Sequence, residues 1–263
     1  MNAPAFRMAR TPIAIMMILA LLSGCMYPGD TSTADQRIAA KEDVVLVQAA
    51  VNEYMQETGV LPIQNSDMSV PKYEKFKIDF GKLTNGPFLS RIPNSAFESG
   101  GRHLYLIVEE GEELLVRLMD VHVFQQVTDL EAEVRRYKQA NNGEVPLQLE
   151  VSPGWYSIDY DALRVDRLQV TSMFTGALLP ILINTDGELA VDYAPDIMEL
   201  IRKQADDSAD GADASDGQLS AAFETRLAEM EDLRSLLVEE HLYVPVKSRA
   251  YIWADGQPII SNE

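Results

Sequence analysis

Two aspartates stand in matching contexts, Ile78-Asp79-Phe80 and Ile158-Asp159-Tyr160. Paired carboxylates brought together with unequal pKa values could do general acid–base work or hold a ligand. Local capping accounts for them more simply: Asp79 precedes Gly81-Lys82-Leu83 and Asp159 precedes Asp161-Ala162-Leu163, where a carboxylate can take the free N–H groups of a short turn. Ser69-Val70-Pro71-Lys72 has the Ser-x-x-Lys spacing in which a lysine activates a serine nucleophile. Pro71 and the polar run Asn65-Ser66-Asp67 place it in a loop, and neither Lys-Thr-Gly nor Ser-Asp-Asn accompanies it. Asp206, Ser208, Asp210 and Gly211 occupy calcium-loop positions, but the twelfth position is Gly217 where the bidentate glutamate belongs. His103, His122 and His241 show no metal-ligand spacing. The expectation is a protein that is not an enzyme and has no metal or cofactor, with Asp79 and Asp159 as speculative binding residues and a hydrolase as the remote alternative.

One thiol does have assignable chemistry. Leu22-Ser23-Gly24-Cys25 ends an apolar run from Pro12 that follows Arg7 and Arg10, the layout of a secretory signal with small residues before the cleavage point. It reads as a lipobox: Leu22, Ser23 and Gly24 are the signal peptidase recognition residues, and Cys25 is the first mature residue and the lipidation site. The run is about half the roughly 20 apolar residues of a membrane span, and the polar stretch Tyr27-Pro28-Gly29-Asp30-Thr31-Ser32 follows it. Several acyl chains, at about 0.8 kcal/mol per buried methylene, hold a protein stably on a bilayer. The expected place is the cell membrane, lipid-anchored, on the extracytoplasmic face.

Charge narrows the partners. The net charge of −19 becomes −21 once Arg7 and Arg10 leave with the signal. Nucleic acid is recognised by clustered Lys and Arg that displace counterions, and the chain has no such cluster in sequence, so nucleic acid is excluded. The body should also be repelled from an anionic membrane surface. Cys25 is the only cysteine, so after acylation no disulfide can form and the fold must rest on an ordinary core.

The elements that would position these residues recur along the chain. Val44, Val47, Val51 and Tyr54 mark one helical face within 35–57, and Val127, Leu130, Val134 and Tyr137 mark the same face within 121–140, each 83 residues later. Thr33 with Gln36 forms a capping box for the first helix, and Asp120 caps the second. Gly59 and Pro62 end one helix, Gly143 and Pro146 the other. Two hairpins follow, Leu104–Val108 with Leu114–Leu118 around Glu110-Gly111, and Leu179–Ile183 with Leu189–Val191 around Asp186-Gly187. Leu219, Phe223, Leu227, Met230, Leu233 and Leu237 mark a third helix, before Pro245 and a hairpin around Asp255-Gly256.

The fold class expected is α+β: two pseudo-repeats of helix plus antiparallel hairpin, with a truncated third helix-hairpin copy at the C-terminus. The domain plan is a signal peptide at 1–24, a lipidated tether at 25–34, repeat 1 at 35–120 and repeat 2 at 121–203. An acidic disordered linker at 204–217, carrying five aspartates and no large apolar residue, leads to the C-terminal element at 218–263.

Gly24-Cys25-Met26-Tyr27-Pro28, the Gly59 to Pro62 exit, Ile78-Asp79-Phe80 and the loop Pro93-Asn94-Ser95-Ala96-Phe97-Glu98-Ser99-Gly100-Gly101 resemble the YphF-type lipoproteins of spore-forming Gram-positive bacteria. Some of these carry the label of an ABC-transporter periplasmic binding protein. The resemblance implies the outer face of the cytoplasmic membrane and no reaction. The function expected is a non-enzymatic binding or interaction module of the cell envelope, anchored to the membrane by acyl chains on Cys25. Its partner is an envelope protein or peptide met through loops such as Ser95–Gly101 and Ser152–Trp155. The alternative is a receptor delivering a small-molecule solute to a membrane transporter. A groove between the copies with convergent polar groups would favour the receptor, and an exposed apolar patch the protein partner.

Overall fold

The computed structural model describes residues 33–208 and 219–261. Cys25, the recognition residues Leu22, Ser23 and Gly24, and Asp210, Gly211 and Gly217 of the calcium-like pattern lie outside them, as do the side chains of the expected Thr33–Gln36 capping box. The chain divides into two compact units, residues 1–39 and 40–263. The described residues of the first, 33–39, are helical.

Helix α1 (Thr33–Thr58) buries Val44, Val47 and Val51, the stripe that the three- and four-residue spacing requires. Gly59 follows with φ of +72°, a left-handed exit that costs a glycine nothing. The single turns α2 (Lys72–Lys75) and α3 (Phe80–Thr84) precede strands β1 (His103–Glu110) and β2 (Glu113–Asp120), which form an antiparallel hairpin. Helix α4 (Val121–Ala140) starts on Asp120, whose carboxylate accepts from the N–H groups of His122 and Val123. Strands β3 (Leu147–Ser152) and β4 (Trp155–Ile158), turn α5 (Tyr160–Leu163), and strands β5 (Gln169–Thr171), β6 (Leu178–Asn184) and β7 (Leu189–Val191) follow. Helices α6 (Ala194–Ser208), α7 (Ala221–Glu229) and α8 (Arg234–Glu240) lead to the hairpin β8 (Tyr251–Ala254) and β9 (Gln257–Ile260).

The mixture of helices and antiparallel strands agrees with the α+β class. Two hydrophobic clusters form, and the β1–β2 hairpin is the wall they share. Successive strand side chains point to opposite faces, so Leu106, Val108 and Met119 enter one cluster while Tyr105, Ile107, Val116 and Leu118 enter the other. Residues 242–247 run beside β2 and β7. Leu118 donates to Leu242 O at 2.8 Å and accepts from Val244 N–H at 3.0 Å, and Val191 donates to Lys247 O at 2.8 Å.

Several expectations need correction. The second half carries a five-stranded sheet, in the order β3-β4-β6-β5 with β7 on β6, where only one hairpin was expected. The long helix from Leu219 to Leu237 is two helices, because Met230 is extended (ψ 130°) and the Asp232 carboxylate accepts from Arg234 N–H to start α8 afresh. Residues 204–208 of the acidic segment continue α6, which buries Ile197, Leu200 and Ile201 on one face. That helix was missed, although Tyr193, Ile197, Leu200 and Ile201 carry its spacing.

Candidate functional site

The Asp79 carboxylate accepts from Gly81 N–H at 3.0 Å, and Asp159 accepts from Ala162 N–H at 2.9 Å. Each caps its own short helix, and the two aspartates share no hydrogen bond or cleft. Their backbone settings also match: Asp79 N–H donates to Pro62 O at 2.8 Å and Asp159 N–H donates to Pro146 O at 2.9 Å. Ser69 Oγ donates to the Asp67 carboxylate at 2.8 Å, while Lys72 Nζ lies 2.9 Å from Glu110. Lys72 is thereby engaged by Glu110, and among the described residues no hydrogen bond joins it to Ser69.

His103 opens β1 and is buried, with neither ring nitrogen hydrogen-bonded. Burial pushes its pKa below the usual histidine range, and the neighbouring Asp120 carboxylate only partly offsets this. His122 is exposed on α4, and His241 ends α8 with its ring 5.4 Å from Phe174. Among the described residues no group of three or more His, Cys, Asp or Glu is placed to hold a metal. None of their helices is long and apolar enough to cross a membrane.

The loops expected to meet a partner differ from one another. Phe97 is half-exposed in the Ser95–Gly101 loop, but Ser95 itself is structural, its hydroxyl bonding both Asp43 and Tyr105. Trp155 is buried in the core, so the Ser152–Trp155 loop cannot offer it to a partner.

The structure assembles instead a cleft of about 670 Å³. One wall is the loop and turn from Ser69 to Glu74, a second is Glu131, Arg135 and Lys138 of α4, and a third is the β6–β7 turn from Asp186 to Leu189. Arg234 and residues 247–250 complete it. Six basic and four acidic side chains line this space in a chain whose net charge is −19.

Its geometry is built around Lys247. This residue has φ of +53°, a left-handed conformation that a lysine holds only where its surroundings over-determine it. Its N–H donates to Glu74 Oε1 at 2.9 Å, its carbonyl accepts from Val191, and its Nζ lies 3.0 Å from Glu131 and 4.6 Å from the centre of the Phe124 ring. Arg234 is similarly fixed. It pairs with Asp232 at 2.7 Å, donates to the carbonyl and hydroxyl of Ser248 at 2.9 Å each, and stacks 4.8 Å from the Tyr73 ring centre. The Tyr73 hydroxyl donates to Glu110 at 2.8 Å, and burial, with Asp232 and Glu110 close by, pushes its pKa far up.

Residues 40–120 match the model of the YphF family N-terminal domain. The YphF-like segment thus runs from within α1 through β2 and supplies the Ser69–Glu74 wall of the cleft, while every other wall comes from residues beyond it. No curated protein and no solved structure gives a match.

The residues lining the cleft were not singled out by sequence reading, apart from the Ser69–Lys72 pattern and the Asp186-Gly187 turn. No local signal announces the cations, because they are spread from Lys72 to Arg249 along the chain.

Proposed function

We propose that this protein is a lipid-anchored extracytoplasmic binding protein that performs no reaction of its own and holds a small polar solute in the cleft. The observation carrying this reading is the convergence of charged side chains from five separate segments on one space of about 670 Å³, within the size range of small-molecule sites. The anchor rests on the Leu22-Ser23-Gly24-Cys25 sequence. The two pseudo-repeats, 35–120 and 121–203, belong to the same proposal. The equivalent Asp79–Pro62 and Asp159–Pro146 hydrogen bonds support a common origin, and the cleft has walls from both copies.

An envelope protein or peptide is the second reading. Leu149 and Val151, 70% and 55% exposed on β3 at the edge of the larger sheet, favour it.

Native mass spectrometry of the protein extracted from membranes tests the choice. The expected result is a small-molecule adduct that disappears when Ala250→Trp fills the cleft. An adduct-free protein that crosslinks in cells to an envelope protein through Phe97 or the Leu149–Val151 edge would reverse the order of the two readings.

A further inference from the structure

The cleft has the opposite charge balance to the chain that builds it. Four of its six cations are neutralised: Lys72 by Glu110 at 2.9 Å, Lys247 by Glu131 at 3.0 Å, Arg234 by Asp232 at 2.7 Å, and Arg249 by Glu188. Arg135 and Lys138 are not. They stand three residues apart on α4, a spacing that puts them on one helix face. Arg135 is exposed and makes no ion pair or hydrogen bond among the described residues.

Lys138 is placed with care but without charge compensation. Its Nζ donates to the main-chain carbonyl of Asp186 and has no carboxylate within ion-pair distance among the described residues. The stem lies against Gly187, where a Cβ would come within 2.9 Å of Lys138 Cδ. Gly187 therefore does two things: it permits the left-handed turn (φ +82°) and it leaves room for the lysine. A side chain held in one position while its charge stays unmatched is preorganised for an anion.

The remaining walls narrow the class of anion. Among the described residues, Pro71, Leu189 and Ala250 are the only apolar ones lining the cleft, and no aromatic side chain lines it. A base or an apolar tail has nothing to stack on there. Two unmatched positive charges, one of them a planar guanidinium that can bond two oxygens at once and the other a compact ammonium, suit a doubly charged phosphoryl group.

We propose that this cleft binds a phosphate monoester, with Arg135 and Lys138 taking the phosphoryl oxygens. The proposal rests on the cleft being the ligand site. The phosphoryl group can belong to a small soluble ester or to a lipid headgroup at the membrane surface, and the chemistry at Arg135 and Lys138 is the same for both.

The test is calorimetric titration of the purified protein with glycerol 3-phosphate and, separately, with succinate, a dianion of different geometry. Flotation with vesicles of phosphatidylcholine, with or without phosphatidic acid, forms a second arm. Arg135→Gln and Lys138→Gln should each weaken binding by about tenfold or more, the equivalent of one charge-assisted contact. Arg136→Gln should leave it unchanged, because Arg136 pairs with Glu133 and does not line the cleft. Binding of glycerol 3-phosphate with that dependence supports a soluble ester; flotation only with phosphatidic acid, with the same dependence, supports a headgroup. Circular dichroism melts of each variant confirm folding, and Arg135→Lys, which keeps the charge and loses the fork, should recover only part of the affinity.

Equal binding of succinate overturns the phosphoryl assignment. Phosphate binding that ignores both substitutions, or no binding in either arm, overturns the site. A neutral solute whose binding is lost in Ala250→Trp and kept in Arg135→Gln also overturns it, while leaving the cleft as the ligand site.

Discussion

The backbone N–H of Lys247 donates to the carboxylate of Glu74 at 2.9 Å, joining positions 173 residues apart at a lysine whose φ is +53°. Glu74 is buried, so this bond both satisfies an interior carboxylate and holds a left-handed lysine at the cleft wall. The same lysine receives Val191 N–H on its carbonyl, which ties the C-terminal segment to the edge of the larger sheet.

Glu74→Ala should destabilise the protein by about 1–3 kcal/mol, the cost of leaving a half-buried donor without its acceptor. Glu74→Gln keeps an acceptor oxygen and should cost about 1 kcal/mol or less. Urea unfolding monitored by tryptophan fluorescence compares the two. Equal losses for both would show that the Lys247 hydrogen bond is not what the carboxylate supplies.

Gly187→Ala should lower stability by about 1 kcal/mol or more, since φ of +82° disfavours any Cβ. It should also displace Lys138, whose Cδ stands where the new methyl group would press. The expected signature is a lower thermal midpoint together with weaker phosphate binding. A normal affinity in a folded variant would mean that Lys138 does not need the carbonyl of Asp186 to hold its position.

His103 makes the fold acid-sensitive. Its pKa in the folded protein is lowered by burial from the ordinary 6.5, so below 6.5 the unfolded chain takes up a proton that the folded one resists. Stability contributed by the neutral ring is full above 6.5 and declines as pH falls from there toward the lowered value. His241 is lowered by burial as well and adds to the same slope. Urea midpoints at pH 7.5 and about pH 5.5 should therefore differ more for the parent than for His103→Phe, which has nothing to protonate and no orphan nitrogens to bury. Parallel profiles would remove His103 as the source.

Cys25→Ala should abolish lipidation and leave an unprocessed precursor or a protein released from the membrane fraction. Metabolic labelling with an alkyne fatty acid, followed by membrane fractionation, measures both. A mature, tightly membrane-bound product from the alanine variant would remove the lipobox reading.

Much of the fold is legible in the sequence because its signals are local. The spacing of Val44, Val47 and Val51 and the Gly59 exit delimit α1, and Asp120 marks the start of α4 by the hydrogen bonds it accepts from the next two residues but one. Acid-Gly pairs mark three of the hairpins, β1–β2, β6–β7 and β8–β9, since tight turns need positive φ within a few residues. The same locality explains Asp79 and Asp159, whose partners lie two and three positions on. What escaped was less periodic: the short strands β3, β4 and β5, with register shifts between β3 and β4, and the break at Met230 that splits one apolar stripe into two helices.

By itself the sequence determined the class of fold, the limits of α1 and α4 and of the three acid-Gly hairpins, the capping role of the two matched aspartates and, through Cys25, the expectation of an anchor. The tertiary structure alone decided where the charges go. Lys72, Lys138, Arg234 and Lys247 come from separate segments and meet in one cleft because the 242–247 segment runs beside both β2 and β7. Charge along a chain is a sum over residues, whereas the field in a cleft depends on which of them folding brings within a few ångströms, so an acidic sequence can close around a basic site.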